Sequence, residues 1–211
     1  ATGVDRFDDG VADVCAVSGY EAYESLVQSR PGDATRAVEE TVRLLGGIDV
    51  LVHSAGGPVN GGLFEITPEQ WQAAFDVHVH AIFHLCRAAI PHIKPKKEGA
   101  IVLISSTAGL RGIITNVAYQ VAKGALPQFT RALAREFAND NIRVNCVAPG
   151  VVRTAFHATM SEAQLNLEQR IPLHREGAPG HVASLIAELV KNDYLTGETF
   201  TVDGGLTMRI A

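Results

Sequence analysis

This chain has few cysteines, no long apolar run and no excess of basic charge, and each absence narrows what it can be. Its three cysteines are widely spaced without a Cys-x-x-Cys pair, which favours buried thiols in a reducing compartment over a disulfide framework. No apolar stretch approaches the length that spans a bilayer, and residues 1–10 contain no hydrophobic signal segment. The formal net charge of −5 gives no electrostatic reason to expect nucleic acid or an anionic membrane as a partner. We therefore expect a cytoplasmic protein.

What the chain does contain is typical of one globular domain. Hydrophobic residues make up 46% and charged residues 19% of the 211 positions, a balance that supports a packed core. Neither an internal repeat nor a linker-like stretch interrupts the chain. The sequence therefore predicts a single domain over residues 1–211.

Short apolar runs alternate with longer helical patterns along most of the chain. The runs read as buried strands at Ile48–Val52, Ala100–Ile104, Ile142–Val147 and Phe200–Val202. Helices are predicted at Pro68–Ile93, Asn116–Ala138 and Val182–Val190, the first opened by a capping box of Thr67 and Gln70. This alternation predicts an α/β fold: a doubly wound parallel sheet with helices on both faces, as in a Rossmann-like domain.

Ligands of such sheets gather beyond the carboxyl ends of the strands, so the residues that follow each strand are the candidates for chemistry. Three small, polar or glycine-rich clusters stand there: residues 53–57 (HSAGG), 105–106 (SS) and 149–154 (PGVVRT). We expect them to converge on one cleft.

Tyr119 and Lys123 stand four residues apart in a predicted helix, so their side chains share one face. An ammonium held beside a phenol favours the phenolate, which predicts a lowered pKa for Tyr119 and proton exchange with a substrate oxygen. Ser106, at the end of the preceding strand, could hold the same oxygen. Taken alone, this spacing is weak evidence, since a solvated lysine beside a half-buried tyrosine is commoner.

Four ordered motifs, from about Val38 onward, resemble those of the short-chain dehydrogenase/reductase family. Residues 46–56 (GGIDVLVHSAG) are similar to the family's G-x-I-D-x-L-V-N-N-A-G, with His53 and Ser54 in place of two asparagines. The other three are the serines before the Tyr-x-x-x-Lys pair, residues 143–150 (RVNCVAPG) and residues 196–205 (TGETFTVDGG).

The resemblance implies an NAD(P)-dependent oxidoreductase that interconverts a carbonyl and a secondary alcohol. It assigns Tyr119 as general acid/base, Ser106 as the orienting hydroxyl, and Lys123 as the group that lowers the tyrosine pKa and holds the nicotinamide ribose. The remaining cofactor contacts that it implies are Ser54, Ala55, Gly56, Pro149, Gly150, Val152 and Thr154. The substrate would be a small molecule bounded by Ala155–Ile171, and the assembly a homodimer or homotetramer formed through the two long helices.

Two departures from the family pattern bear on this assignment. His78 stands where the family often has an asparagine, and it is either a further catalytic relay or a packing histidine. His80 and His84, one turn apart, lack a third metal ligand, so no metal is expected.

The second departure is the absence of the family's glycine-rich phosphate turn, because Thr2-Gly3 is followed by Val4-Asp5-Arg6. Either the first strand–helix unit is missing and the domain is N-terminally incomplete, or ordinary cofactor binding has been lost. The second option makes a non-catalytic binding or regulatory protein the alternative function. We expect the region before Val38 to be poorly packed, or flanked by a gap in the sheet where strand one belongs, and Arg6 favours NADP slightly over NAD.

Overall fold

The computed structural model describes residues 4–5, 14–16, 31–113, 116–154 and 169–208. Its strands are β1 (Val4–Asp5), β2 (Val14–Ala16), β3 (Val50–His53), β4 (Gly99–Ile104), β5 (Ile142–Pro149) and β6 (Thr199–Val202). Its α-helices are α1 (Pro31–Leu45), α2 (Pro68–Phe75), α3 (Ala81–Ile93), α4 (Val117–Glu136) and α5 (Pro179–Lys191). Every strand and helix predicted from Ile48 onward is present, with ends shifted by a few residues.

The six strands form one sheet in the order β1-β2-β3-β4-β5-β6, parallel throughout except for the antiparallel pair of β1 and β2. Side chains alternate across the sheet, as strand geometry requires. In β4, Ile101 and Leu103 join the core beneath α1, α3 and α4, whereas Val102 joins Leu189 of α5 on the opposite face. Helices therefore cover both faces, which confirms the predicted doubly wound α/β fold.

The gap that we expected beside β3 is not found in the described part of the sheet. Val14–Ala16 lies there, parallel to β3, with Val14 opposite Val50 and Ala16 opposite Val52. Three residues are enough to pair the inner edge of β3, which would otherwise carry unsatisfied backbone groups. The proposed absence of a first strand–helix unit stays a prediction, because residues 6–13 and 17–30 lie outside the described residues.

The first long helix begins as predicted but is not regular throughout. The Thr67 side chain accepts from the Gln70 backbone and the Gln70 side chain accepts from the Thr67 backbone, which completes the capping box. Between α2 and α3, residues Asp76–His80 form a π-helical turn. Such turns are rare and commonly occur at functional sites, and this one contains the fully buried His78.

A second irregular segment, the 3-10 turn Thr107–Gly109 after β4, lies against α4 at close range. A Cβ on Gly109 would stand 2.7 Å from Gly124 N and from Lys123 C, both backbone atoms of α4. Only glycine permits this approach, which holds the end of β4 against the helix that carries Tyr119.

Gly109→Ala is expected to lower the free energy of unfolding by about 1–3 kcal/mol, because the added methyl group overlaps backbone that cannot move aside. Gly112→Ala is the matched control, since a Cβ at Gly112 meets nothing within 4 Å. Urea unfolding of both variants measures the difference, and equal stability of the two would contradict the packing argument.

Candidate active site

The two hydroxyl groups predicted for the site are brought together where β4 ends and α4 begins. Ser106 follows β4, and its Oγ accepts a hydrogen bond of 3.1 Å from Ala108 N, which caps the 3-10 turn. A side-chain hydrogen bond also joins Ser106 to Tyr119, the third residue of α4. The pairing of serine and tyrosine expected from the sequence is therefore present in the fold.

Lys123 lies one turn further along α4, and 5% of it is exposed. Its Nζ donates a hydrogen bond of 2.7 Å to Ile104 O, and Ser105 Oγ donates one of 2.7 Å to Lys123 O. The ammonium lies over the Tyr119 ring, 5.9 Å from its centroid. Burial lowers the pKa of Lys123 to about 8, because the charged form loses its hydration.

The expectation that Lys123 lowers the pKa of Tyr119 is wrong for this structure. Burial raises the pKa of Tyr119 above its ordinary value, and the hydrogen bond with Ser106 only partly opposes that rise. Desolvation penalises the phenolate because the charged form loses its hydration. The phenol therefore holds its proton at neutral pH.

Two neutral histidines lie beneath this pair. His78 in the π turn is completely buried, and its ring meets the Tyr119 ring edge-on with centroids 5.3 Å apart. His53, the last residue of β3, is 3% exposed. Burial, and after it the charge of Lys123, lowers the pKa of each imidazole to about 3. Lys123 is therefore the one cation of this group at neutral pH.

The hydrogen bond of His78 determines which nitrogen of its ring is protonated. His78 Nε2 lies 3.0 Å from Gly57 O, and a carbonyl oxygen can only accept, so Nε2 carries the hydrogen. His78 Nδ1 is then a bare acceptor, and it has no hydrogen-bond partner among the described residues. The structure is therefore compatible with both interpretations of His78, as a packing histidine and as a relay. The ring packs against its neighbours, and it has an acceptor nitrogen next to Tyr119.

The turn after β3 is shaped from the inside by the same histidine. Gly56 has a φ of +155°, and a Cβ there would stand 2.5 Å from His78 Cε1 and 2.8 Å from Nδ1. Ser54 is exposed, while Ala55 and Gly56 are partly exposed at the same sheet edge. Glycine at position 56 thus makes room for the imidazole, a requirement that the sequence did not reveal.

Residues after β5 form the third side of the site. Gly150 approaches the turn after β6 so closely that a Cβ would stand 2.8 Å from Asp203 Cβ. Val152 pairs with Gly177 in a parallel bridge, which holds the backbone after Pro149 at the sheet edge. Thr154 is exposed and is the last described residue before the segment that continues at 169. The cofactor contacts expected at positions 149–154 therefore lie at one edge with those at 54–56.

The predicted absence of a metal is not contradicted by the described residues, in which no group of three possible ligands occurs. His80 Nδ1 instead lies 2.8 Å from Asp76 Oδ1 within the π turn. No helix in the described ranges is both long and apolar enough to cross a membrane.

Comparison with known proteins decides the family. Residues 9–207 match a family model described as enoyl-(acyl carrier protein) reductase. The chain belongs to the short-chain dehydrogenase/reductase family. A tropinone reductase homologue of Arabidopsis thaliana is 36% identical over 200 residues, covering 92% of this chain and 72% of the relative. An acetoacetyl-CoA reductase of an Acinetobacter species is 36% identical over 178 residues, covering 83% and 72%.

Solved structures agree with this membership. Gluconate 5-dehydrogenase of Burkholderia cenocepacia, determined with NADP and tartrate, is 26% identical and matches with a TM-score of 0.82, covering 86% of this chain and 73% of that one. Family membership makes this short-chain dehydrogenase/reductase an NAD(P)-dependent enzyme that interconverts carbonyls and alcohols. The non-catalytic alternative is not favoured.

The buried imidazole of this short-chain dehydrogenase/reductase makes its stability depend on acid. Because the folded pKa of His78 is about 3 and the unfolded pKa is near 6.5, only the unfolded chain takes up this proton between those values. The contribution of the neutral His78 to the free energy of unfolding is therefore fully present above about pH 6.5, and it is lost as the pH falls towards 3.

We expect His78→Asn, which can still donate to a carbonyl, to remove about 2 kcal/mol of the stability loss between about pH 7.5 and about pH 5. Urea unfolding at both pH values measures this loss. His92→Asn, at an exposed position of α3, controls for the loss of an imidazole. An unchanged pH dependence in His78→Asn would show that the imidazole is not held neutral.

Proposed function

We propose that Tyr119 is the general acid/base of this oxidoreductase and that Ser106 orients the reacting oxygen. The hydrogen bond between the two hydroxyls, beside the buried ammonium of Lys123, is the observation that carries the proposal. A substrate carbonyl oxygen placed between them accepts from both. Tyr119 then gives its proton to that oxygen during reduction and takes it back during oxidation.

The nicotinamide cofactor supplies the hydride. Lys123 is protonated at neutral pH, since its pKa is about 8, so it keeps all three of its N–H donors. The raised pKa of Tyr119 keeps the proton in place until an oxygen is bound to receive it. His78 completes the set as a relay, with Nδ1 as an acceptor beside the ring.

The residues present fit the nicotinamide half of the cofactor. Lys123 Nζ carries three donors and gives one to Ile104 O, which leaves donors for ribose hydroxyls. The Val152 backbone and the Thr154 hydroxyl would hold the carboxamide. The other proposed contacts are Ser54, Ala55 and Gly56 after β3 and Pro149 and Gly150 at the end of β5.

We propose NADP rather than NAD as the cofactor. Arg6, the reason for that preference, lies outside the described residues, and the Burkholderia relative was determined with NADP. Steady-state rates with NADPH and NADH distinguish the two, and a strong preference for NADH would reverse the proposal.

The substrate is proposed to be a small carbonyl compound or alcohol. Nucleic acid is not proposed as a partner. The segment Ala155–Ile171, expected to bound it, lies outside the described residues up to position 168, and Ile171 is buried. A titration monitored by Trp71 fluorescence would detect nucleic-acid binding.

We infer a cytoplasmic homodimer or homotetramer. Phe83 on α3 is 43% exposed, and Val121 on α4 is 46% exposed, so both long helices present apolar surface. A light-scattering mass of a single chain would count against this assembly.

Tyr119→Phe is expected to lower kcat at least about 100-fold, because it keeps the ring that packs on His78 and removes the group that transfers the proton. Tyr194→Phe is the matched control, since Tyr194 is 95% exposed. A thermal shift with NADPH checks that Tyr119→Phe still binds cofactor. Turnover close to that of the unmodified enzyme would refute the role of Tyr119.

A further inference from the structure

The segment Gly109–Ile113 follows the catalytic serine and runs along α4 beside Tyr119. It is attached to the helix at two places one turn apart. Gly109 rests on the backbone of Gly124, where an added Cβ would come within 2.7 Å. At the other end, Ile113 is held by the side chain of Gln120, the residue directly after Tyr119.

The attachment at Gln120 uses both halves of its amide. Gln120 Oε1 accepts from Ile113 N at 2.8 Å, and Gln120 Nε2 donates to Ile113 O at 2.7 Å. A side chain that makes both bonds to one residue imitates the pairing of a neighbouring strand, and it fixes that residue in position and orientation. Among the described residues, no other side chain hydrogen-bonds to Ile113.

The held segment carries two apolar side chains, Leu110 and Ile113, on the stretch of chain between Ser106 and α4. Ile113 is 46% exposed although its backbone is fixed on both sides. Leu110 lines a cavity of about 610 Å³ with Met208 and the polar residues Arg111, Thr201 and Asp203. A cavity of this size accommodates a small organic molecule. One of its lining residues, Asp203, lies against Gly150, which directly follows β5.

The loop between β3 and α2 is also attached to the start of α4. Gly61, in the loop between β3 and α2, forms a parallel bridge with Asn116, and Val117 N donates to Gly61 O at 3.1 Å. Leu63 follows in that loop and is 68% exposed. Apolar side chains thus stand on both segments that are attached to the first turn of α4.

We propose that Gln120 is a specificity-determining positioning residue, which holds Ile113 and Leu110 where they receive the apolar substituent of a carbonyl substrate. The inference rests on the proposed function of Tyr119, because the segment matters for selectivity only if the carbonyl is bound there. Gln120 itself touches neither substrate nor cofactor. Its effect is on binding of the apolar substituent of the substrate. A change at Gln120 therefore alters KM and leaves the proton transfer by Tyr119 unchanged.

The test compares two diketones that differ by an apolar ring, 2,3-butanedione and 1-phenyl-1,2-propanedione, with NADPH as reductant. Gln120→Met keeps the length of the side chain and removes both hydrogen bonds. We expect kcat/KM for the phenyl compound to fall about tenfold through KM, while that for 2,3-butanedione changes less than about twofold. Gln128→Met, at an exposed position of α4 where the amide bonds only to Arg131 among the described residues, should leave both values unchanged.

Three outcomes would overturn the proposal. An unchanged ratio of the two kcat/KM values in Gln120→Met shows that the clamp does not select substrates. An equal fall for both diketones, through kcat, shows a purely structural role. If the unmodified enzyme reduces neither compound, the proposed function fails for these substrates, and the affinities for both diketones by calorimetry then decide on Gln120. In that case, no greater loss of affinity for the phenyl compound than for 2,3-butanedione in Gln120→Met rejects the proposal.

Discussion

The ammonium of Lys123 is buried where β4 meets α4, and its Nζ gives a hydrogen bond of 2.7 Å to Ile104 O. The reverse link, from Ser105 Oγ to Lys123 O, ties the same two elements a second time. A buried cation is costly unless it is bonded, so these contacts fix the strand end against the helix. Ser106 lies on the strand side of this junction and Tyr119 on the helix side, so the hydrogen bond between them depends on it.

The same cation governs the state of its neighbours. His53 and His78 are buried close enough to Lys123 for its charge to lower their pKa further, and both remain neutral at physiological pH. A neutral His78 can give one hydrogen to Gly57 O and keep an acceptor at Nδ1, which an imidazolium could not do. The floor of the site therefore contains one positive charge and two uncharged rings.

Three glycines, which have no Cβ, allow the close contacts that hold the sides of the site together. Gly56 makes room for the His78 ring, Gly109 rests on the backbone of α4, and Gly150 meets Asp203 after β6. Each contact joins segments that are far apart in the chain. A substitution at any of them would therefore move a wall of the cleft.

The buried strand β4, the capping box at Thr67 and the helix that carries Tyr119 and Lys123 follow from local patterns, and the sequence predicted them correctly because neighbouring residues suffice to produce them. The family also followed from ordered motifs, and the comparisons confirmed it. The direction of the Tyr119 pKa could not be predicted, since it depends on burial by residues from several elements.

Other features arose only from contacts between distant segments. The π turn around His78 lies against Gly56, 22 positions earlier in the chain, and Val14–Ala16 takes the place beside β3 that we expected to be empty. The sequence by itself determined the fold class and the family, and it predicted the groups that we propose to carry the chemistry. Tertiary structure alone decided their protonation and the walls around them, because desolvation and close packing are set by whatever the folded chain brings within a few ångströms.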